Sequence, residues 1–163
     1  MGRGSFLSKC TLAVSGFCLI SSVLRAEPRL SEAMVAAHNR VRTRLGVPSL
    51  VWSERLAAIA QQWAVRLAAT GAFHPDPHTS FGQNLFEIAG GHATPEQVVE
   101  AWASEARNYD YRTNTCRARC GHYTQLVWRN TRRVGCGMAQ RYNIEIWVCD
   151  YDPPGNVLGE KPY

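Results

Sequence analysis

The sequence holds no H-E-x-x-H, no G-x-S-x-G and no C-x-x-C. These absences exclude the usual helical zinc-protease motif, the nucleophile elbow of serine hydrolases and the paired-cysteine knuckle of structural zinc sites. Ser80 and Ser104 lie near other polar residues of interest, yet neither has an elbow around it. No internal repeat and no low-complexity tract is present. No apolar run reaches the ~20 residues of a membrane-spanning helix. The longest is "CTLAVSGFCLISSVL", in a leading stretch that lacks any acidic side chain. Arg3 and Lys9 precede that run and "LRAEP" follows it, so residues 1–26 read as a signal peptide cleaved after Ala26. Phe17 stands before Cys18, where lipid modification of a cysteine wants a small residue.

What remains, residues 27–163, is long enough for one domain. Hydrophobic residues make up 45% of the chain and charged residues 19%, the balance of a folded globular protein. Three of the 18 basic residues (Arg3, Lys9 and Arg25) belong to the leader, which leaves 15 against 13 acidic residues. Overall charge therefore gives no case for nucleic-acid binding, and no transmembrane segment is expected after the leader is removed. A local bias persists at Arg112, Arg117, Arg119, Arg129, Arg132 and Arg133, which reads as a solvated face around a loop. Cys10 and Cys18 leave with the leader, and Cys116, Cys120, Cys136 and Cys149 remain. An even number of cysteines in an exported chain points to two disulfides, with three pairings open. Cys116 with Cys120 closes a small loop, and Cys136 with Cys149 ties two neighbouring strands. A four-cysteine zinc site competes, but the spacings and the export signal speak against it.

Periodicity predicts helices in the first two thirds and strands in the last. Ser31 opens a helix to about Leu45, with Met34, His38, Val41 and Leu45 on one face. Ser53 caps a second, whose Leu56, Ile59, Ala60, Trp63, Ala64 and Leu67 form one stripe ended by Gly71. Residues 72–93 read as loop, with a short extended piece in "FGQNLFEI". Thr94, Pro95 and Gln97 make a capping box that starts a third helix, running to about Arg107. Glu105 shares that helix's apolar side with Val98, Ala101 and Trp102, so it is expected to be paired or functional. "HYTQLVW", "RRVGCGMAQ" and "YNIEIWVCDY" alternate and predict an antiparallel meander, with "QRYN" as the last turn. The fold class is α+β, with helices packed on a sheet.

On that frame His74, His78, Gln83, Glu105 and His122 lie on separated elements that can converge on a metal or acid–base site. Four stretches carry a resemblance: "AAHNRVRTRLGVPSLVWSERLAAIAQQWA", "HTSFGQNLF", "WASEARNYDYRTNTC" with "CGHYTQLVWRNTRRVGCG", and "WVCDYDPPGNVLGEKPY". They resemble the CAP superfamily of cysteine-rich secretory proteins, antigen 5 and pathogenesis-related proteins, in its single-domain plant- or bacterial-like form. The resemblance implies an α-β-α sandwich with a central antiparallel sheet between helical layers. It also implies a central cavity with two histidines and two glutamates. By motif, His122 is the second histidine and Glu105 one glutamate. The first histidine falls to His78 by loop spacing, with His74 as the alternative. The family's G-E-N-L reads G-Q-N-L here, so Gln83 brings neither charge nor a basic oxygen. The resemblance also implies the pairs Cys116–Cys120 and Cys136–Cys149.

The expected function is that of a secreted, non-enzymatic binding or defence-type module. His78 and His122 are the expected ligands of a weak Zn2+ site that loses metal in acid. A lipid or sterol is the other expected ligand, in a groove with Phe73, Phe81, Phe86, Trp102 and Tyr109 as candidate lining. An extracellular protein is a further expected partner. Two other readings compete. In one, a metal-dependent hydrolase uses Glu105 as base beside zinc on His78 and His122. In the other, the polar tetrad only holds helices to sheet, and function lies in surface loops.

Overall fold

The computed structural model describes residues 29–163. The expected leader, residues 1–26, lies outside them, as do Cys10 and Cys18. Helix α1 (Leu30–Arg44) is followed by the short strand β1 (Val51–Trp52) and helix α2 (Glu54–Thr70). Strand β2 (Gly82–Ala89) leads to helix α3 (Pro95–Ala103), which tightens into a 3-10 turn (Ser104–Asn108). A small hairpin, β3 (Tyr109–Asp110) and β4 (Thr115–Cys116), precedes helix α4 (Gly121–Leu126). Strands β5 (Arg133–Arg141) and β6 (Ile144–Asp152) complete the main sheet, in the order β1-β5-β6-β2. The β2-β6 and β5-β6 pairs are antiparallel, as expected, while the two residues of β1 run parallel to β5. Among the described residues no helix is long and apolar enough to cross a membrane.

Helices cover both faces of that sheet, giving the α-β-α sandwich. On one side Ala60, Ala64 and Leu67 of α2 pack on Leu85, Ile146 and Val148. On the other, Met34, Val98, Trp102 and Leu126 pack on Val134, Cys136, Trp147, Cys149 and Tyr151. Strand β6 is therefore buried on both faces, which is why its alternation serves two cores at once. α2 lies almost directly on β5. A Cβ on Gly135 would come within 2.2 Å of Ala57 N, and one on Gly137 within 2.3 Å of Gln61 Cα. Cys136 and Cys149 sit opposite each other across β5 and β6 and are bonded. Cys116 is bonded to Cys120.

The local signals for α2 and α3 fold as read. Ser53 accepts from Leu56 N, Gly71 ends α2 in the left-handed region, and the Thr94–Gln97 box is complete. Three readings need correction. α1 starts without a side-chain cap at Ser31, and its inner face adds the buried Ala37 and Arg42 to Met34 and His38, with Val41 and Leu45 partly buried against the same core. "GHYTQL" is helix, not strand. Its polar Thr124 and Gln125 are buried like Tyr123 and Leu126, because Asn156 and Thr131 take their hydrogen bonds, so the alternation marks no surface. The extended piece near Gln83 is a full eight-residue strand and pairs with β6, so the third long strand of the sheet comes from there and not from "HYTQLVW" beside β5. Glu105 stands on the 3-10 turn beyond the end of α3.

Arg42 has no exposed surface and no carboxylate partner among the described residues. Its guanidinium donates to the carbonyls of Pro48, Leu126, Trp128 and Thr131, at 2.7 to 3.1 Å. Burial lowers its pKa to about 10, with Tyr151 pulling it up and Arg132 down, so it stays charged at neutral pH. α1 is thereby tied to the C-terminal end of α4. Arg42→Ala removes a donor from four carbonyls, of which Trp128 and Thr131 keep a second one, and is expected to cost roughly 3 kcal/mol in denaturant unfolding. Arg42→Lys is expected to recover only part of that, since an ammonium has no planar fork to span the four.

Candidate functional site

Strand β2 is a free edge of the main sheet, and the cleft forms around one end of it. Gln83 and Leu85 stand on the α2 side of the strand, and Asn84 on the other. The loop after α2 closes one wall with Phe73, His74 and Pro75, and Arg119, Gly121, His122 and Asn156 close the opposite wall. The enclosed volume is about 360 Å3. Two elements from opposite layers thus bring two imidazoles to one opening.

His122 is the second residue of α4, and Glu105 holds it three ways. Glu105 Oε1 lies 2.8 Å from His122 Nδ1, while Oε2 accepts from His122 N at 3.0 Å and from Tyr123 N at 3.4 Å. A carboxylate that accepts two backbone N–H groups is an acceptor at its other oxygen too, so Nδ1 carries a proton, and in the neutral ring the lone pair belongs to Nε2. Asn84 Nδ2 donates to the His122 carbonyl at 3.0 Å, and the Trp102 ring packs 6.3 Å away. His122 keeps 23% of its side chain exposed and Glu105 14%, so the pair is shielded but reachable.

His74 shows the same polarity. Its Nδ1 lies 2.9 Å from the Pro75 carbonyl, which can only accept, so Nε2 is again the free nitrogen. Trp63 Nε1 donates to the His74 carbonyl at 3.0 Å and fixes the loop. His78, favoured by spacing, is exposed and does not line the cleft. Its backbone N–H donates to Asp76 Oδ1 at 2.9 Å in a tight turn. The cleft histidines are therefore His74 and His122.

Gln83 bridges two acids of its surroundings. Its Oε1 accepts from Asp76 N at 2.8 Å, and its Nε2 donates to Asp150 Oδ1 at 2.7 Å. Asp150 is fully buried and its Oδ2 has no partner. Burial raises its pKa to about 6, the Gln83 hydrogen bond opposes this, and the charge of Asp76 adds to it. Sequence reasoning missed Asp150. Its signal was an acid in "WVCDY", a run otherwise buried on both faces. It also passed over a chain of polar groups behind the site. His38 donates from Nδ1 to the Met34 carbonyl at 2.7 Å and accepts from the Tyr151 hydroxyl at 2.9 Å, while Asn84 Nδ2 donates to that hydroxyl at 3.3 Å. Burial lowers His38 to about 4, so it is neutral at physiological pH.

The expected aromatic groove does not form. Trp102 is core, Phe86 and Tyr109 pack against that core, Phe73 edges the cleft, and Phe81 lies under Arg55. Among the described residues no three His, Cys, Asp or Glu side chains converge as a metal site.

Residues 35–151 match the family model described as "CAP: Cysteine-rich secretory protein family". The chain is 44% identical to pathogenesis-related protein 1A of Nicotiana tabacum, over 98% of this chain and 94% of that protein. It is 42% identical to pathogenesis-related protein 1 of Arabidopsis thaliana, over 79% of this chain and 80% of that one. The fold is similar to that of venom allergen-like protein 4 of Schistosoma mansoni, with a TM-score of 0.70 and 26% identity, covering 84% of this chain and 95% of that chain.

Asp150 gives a pH signature. Its pKa is raised in the folded state, so near neutrality the folded protein holds a charge that burial disfavours. Stability from this group therefore grows as pH falls from about 6 towards the unfolded value near 4. Asp150→Asn is expected to stabilise the protein by roughly 2 kcal/mol at pH 7 in urea unfolding, with the advantage fading below about pH 5.

Proposed function

The chain belongs to the CAP family of cysteine-rich secretory proteins, and from that membership we propose that it is an exported, non-enzymatic, defence-type module that works through the cleft at the edge of β2. On this reading residues 1–26 are the leader and residues 27–163 the working domain, with its two disulfides suited to an oxidising exterior. The observation that carries the proposal is the commitment of Glu105. Both of its oxygens are engaged by His122 and by the first amides of α4, so it is committed to holding that helix instead of standing free as a base. A metal-dependent hydrolase needs such a base beside a metal-bound water. The site instead offers two imidazoles, His74 and His122, each with Nδ1 facing an acceptor.

That donor set fits a divalent cation of the zinc type, which imidazole nitrogen suits. His74 and His122 would hold it, and Glu105 would act from behind, fixing the ring of His122 and strengthening it as a donor. Gln83 is neutral and Asp150 lies buried beneath it, so no carboxylate joins the set. Binding is expected to be weaker than in a closed four-ligand site. A purely structural tetrad would explain the Glu105 contacts but not a second imidazole, that of His74, on the facing wall of the same cleft.

The lipid or sterol reading moves to another place. A groove of about 290 Å3 lies between α1 and α3, floored by Ala37, Val41 and Val99 and rimmed by Arg40, Arg44, Glu96 and Glu100. Its apolar floor and charged rim suit an acyl chain with a polar head.

Zinc titrated into the oxidised protein at neutral pH is expected to bind saturably and raise the melting temperature. His122→Ala and His74→Ala each abolish this, and His78→Ala does not. Glu105→Gln weakens it about 10–100-fold. Binding fades as the pH is lowered, because protons compete for the imidazoles. Absence of saturable binding to the parent protein would remove the metal from this account.

A further inference from the structure

The arginines that the sequence groups into one stretch are organised by the fold. Between residues 107 and 133 stand seven arginines and a single acid, Asp110. The β3-β4 hairpin, the Cys116–Cys120 loop and the C-terminal strap gather this charge into one ridge. Arg117 N donates to the Asn108 carbonyl at 2.8 Å, and Asn108 Nδ2 donates to the Arg119 carbonyl at 2.8 Å, so both arginines stay beside the hairpin base. Lys161 sits 4.3 Å over the Tyr111 ring at the hairpin tip, next to Arg112. Arg129 N donates to the Pro162 carbonyl at 2.6 Å, which places Arg129 against the same strap, and Arg132 donates in turn to the Arg129 carbonyl. Arg112, Arg117, Arg119, Arg129, Arg132 and Lys161 are all exposed. Only Arg117 among them has an acid within salt-bridge reach, Asp110 at 3.5 Å, and that pair is open to water.

The ridge ends in the cleft, because Arg119 is one of the cleft's own wall residues and no carboxylate lines that wall. We propose that this ridge and the mouth of the cleft form a docking track for a linear acidic polysaccharide, with Arg119 receiving the end of the chain. This goes beyond the metal reading and does not depend on it. Charge complementarity selects a polyanion, and guanidinium forks pair carboxylate or sulfate groups side by side. Concavity at Arg119 suits a narrow chain better than the plane of a bilayer. The exposed ring on the ridge, Tyr111, is stacked on Tyr163 at 4.9 Å and topped by Lys161, so it offers no face for a nucleic-acid base. Glu160, Asp110 and Asp152 are the acids beside the ridge, and Asp152 is taken by Arg133 at 2.6 Å, so they are too few to neutralise it.

The test is calorimetric titration of the full oxidised protein with oligogalacturonate, sulfated dextran and neutral dextran. EDTA is present throughout, so that failure of the metal reading cannot affect the result. Binding to either acidic glycan, none to the neutral one, and a loss as salt rises are the expected results, and the better of the two identifies the acid group. The triple variant Arg112→Gln/Arg117→Gln/Arg119→Gln is expected to lose on the order of tenfold or more in affinity at an unchanged melting temperature. The charge-matched control Arg29→Gln/Arg55→Gln/Arg66→Gln keeps the parent affinity. Equal affinity in both triple variants overturns the proposal. So does binding to vesicles of phosphatidylserine and phosphatidylcholine without binding to either acidic glycan, or no binding to any of these probes.

Discussion

Everything at the cleft depends on a helix too short to stand alone. Six residues make α4, and a helix of that length is not stable in water without tertiary help. It is held from both ends by charges of the matching sign. Glu105 accepts the amides of His122 and Tyr123 at the N-terminal end, and the Arg42 guanidinium gathers the carbonyls of Leu126 and Trp128 at the other. Each charge complements the helix dipole where it stands. Neither can be exchanged for a neutral group without stranding backbone atoms. The position of His122 follows from these two anchors and from Asn84 on the adjacent strand.

The same arrangement decides the electrostatics of the opening. Of the acids near the cleft, Asp76 stays on the loop after α2, and the other two are placed behind a partner. Glu105 lies behind His122, and Asp150 lies beneath Gln83. What faces solvent is imidazole nitrogen, side-chain amide and the Arg119 guanidinium. On the proposed reading such a surface would bind through imidazole nitrogen and one fixed positive charge. Membership of the CAP family and similarity to pathogenesis-related proteins fit a defence-related module.

Local chemistry made α2 and α3 legible in the sequence. Ser53, Gly71 and the Thr94–Gln97 box act within a turn of their own helices, and their effect does not wait for the fold. The β5-β6 hairpin was legible for the same reason, with its turn at Tyr142–Asn143. α4 was not, because its buried Thr124 and Gln125 are satisfied by residues from distant loops, so an alternating pattern concealed a helix. The choice between His74 and His78 turned on the path of a loop, which the Trp63 and Asp76 hydrogen bonds set and residue spacing does not. The apolar spacing of α1 did not single out Arg42. Only the four carbonyls that meet it in three dimensions make it core. Asp150 was hidden likewise, since a strand buried on both faces gives no alternation to break.

The central claim is that Glu105 fixes His122 with its proton on Nδ1 and its lone pair on Nε2 turned to the cleft. Long-range nitrogen–proton NMR correlations of the imidazole rings, recorded on the metal-free protein at mildly alkaline pH, read this directly. The account predicts a protonated Nδ1 and a pyridine-like Nε2 for His122, with that order lost in Glu105→Gln. A His122 ring protonated on Nε2 in the parent protein would contradict it, because the nitrogen offered to a ligand would then carry a hydrogen.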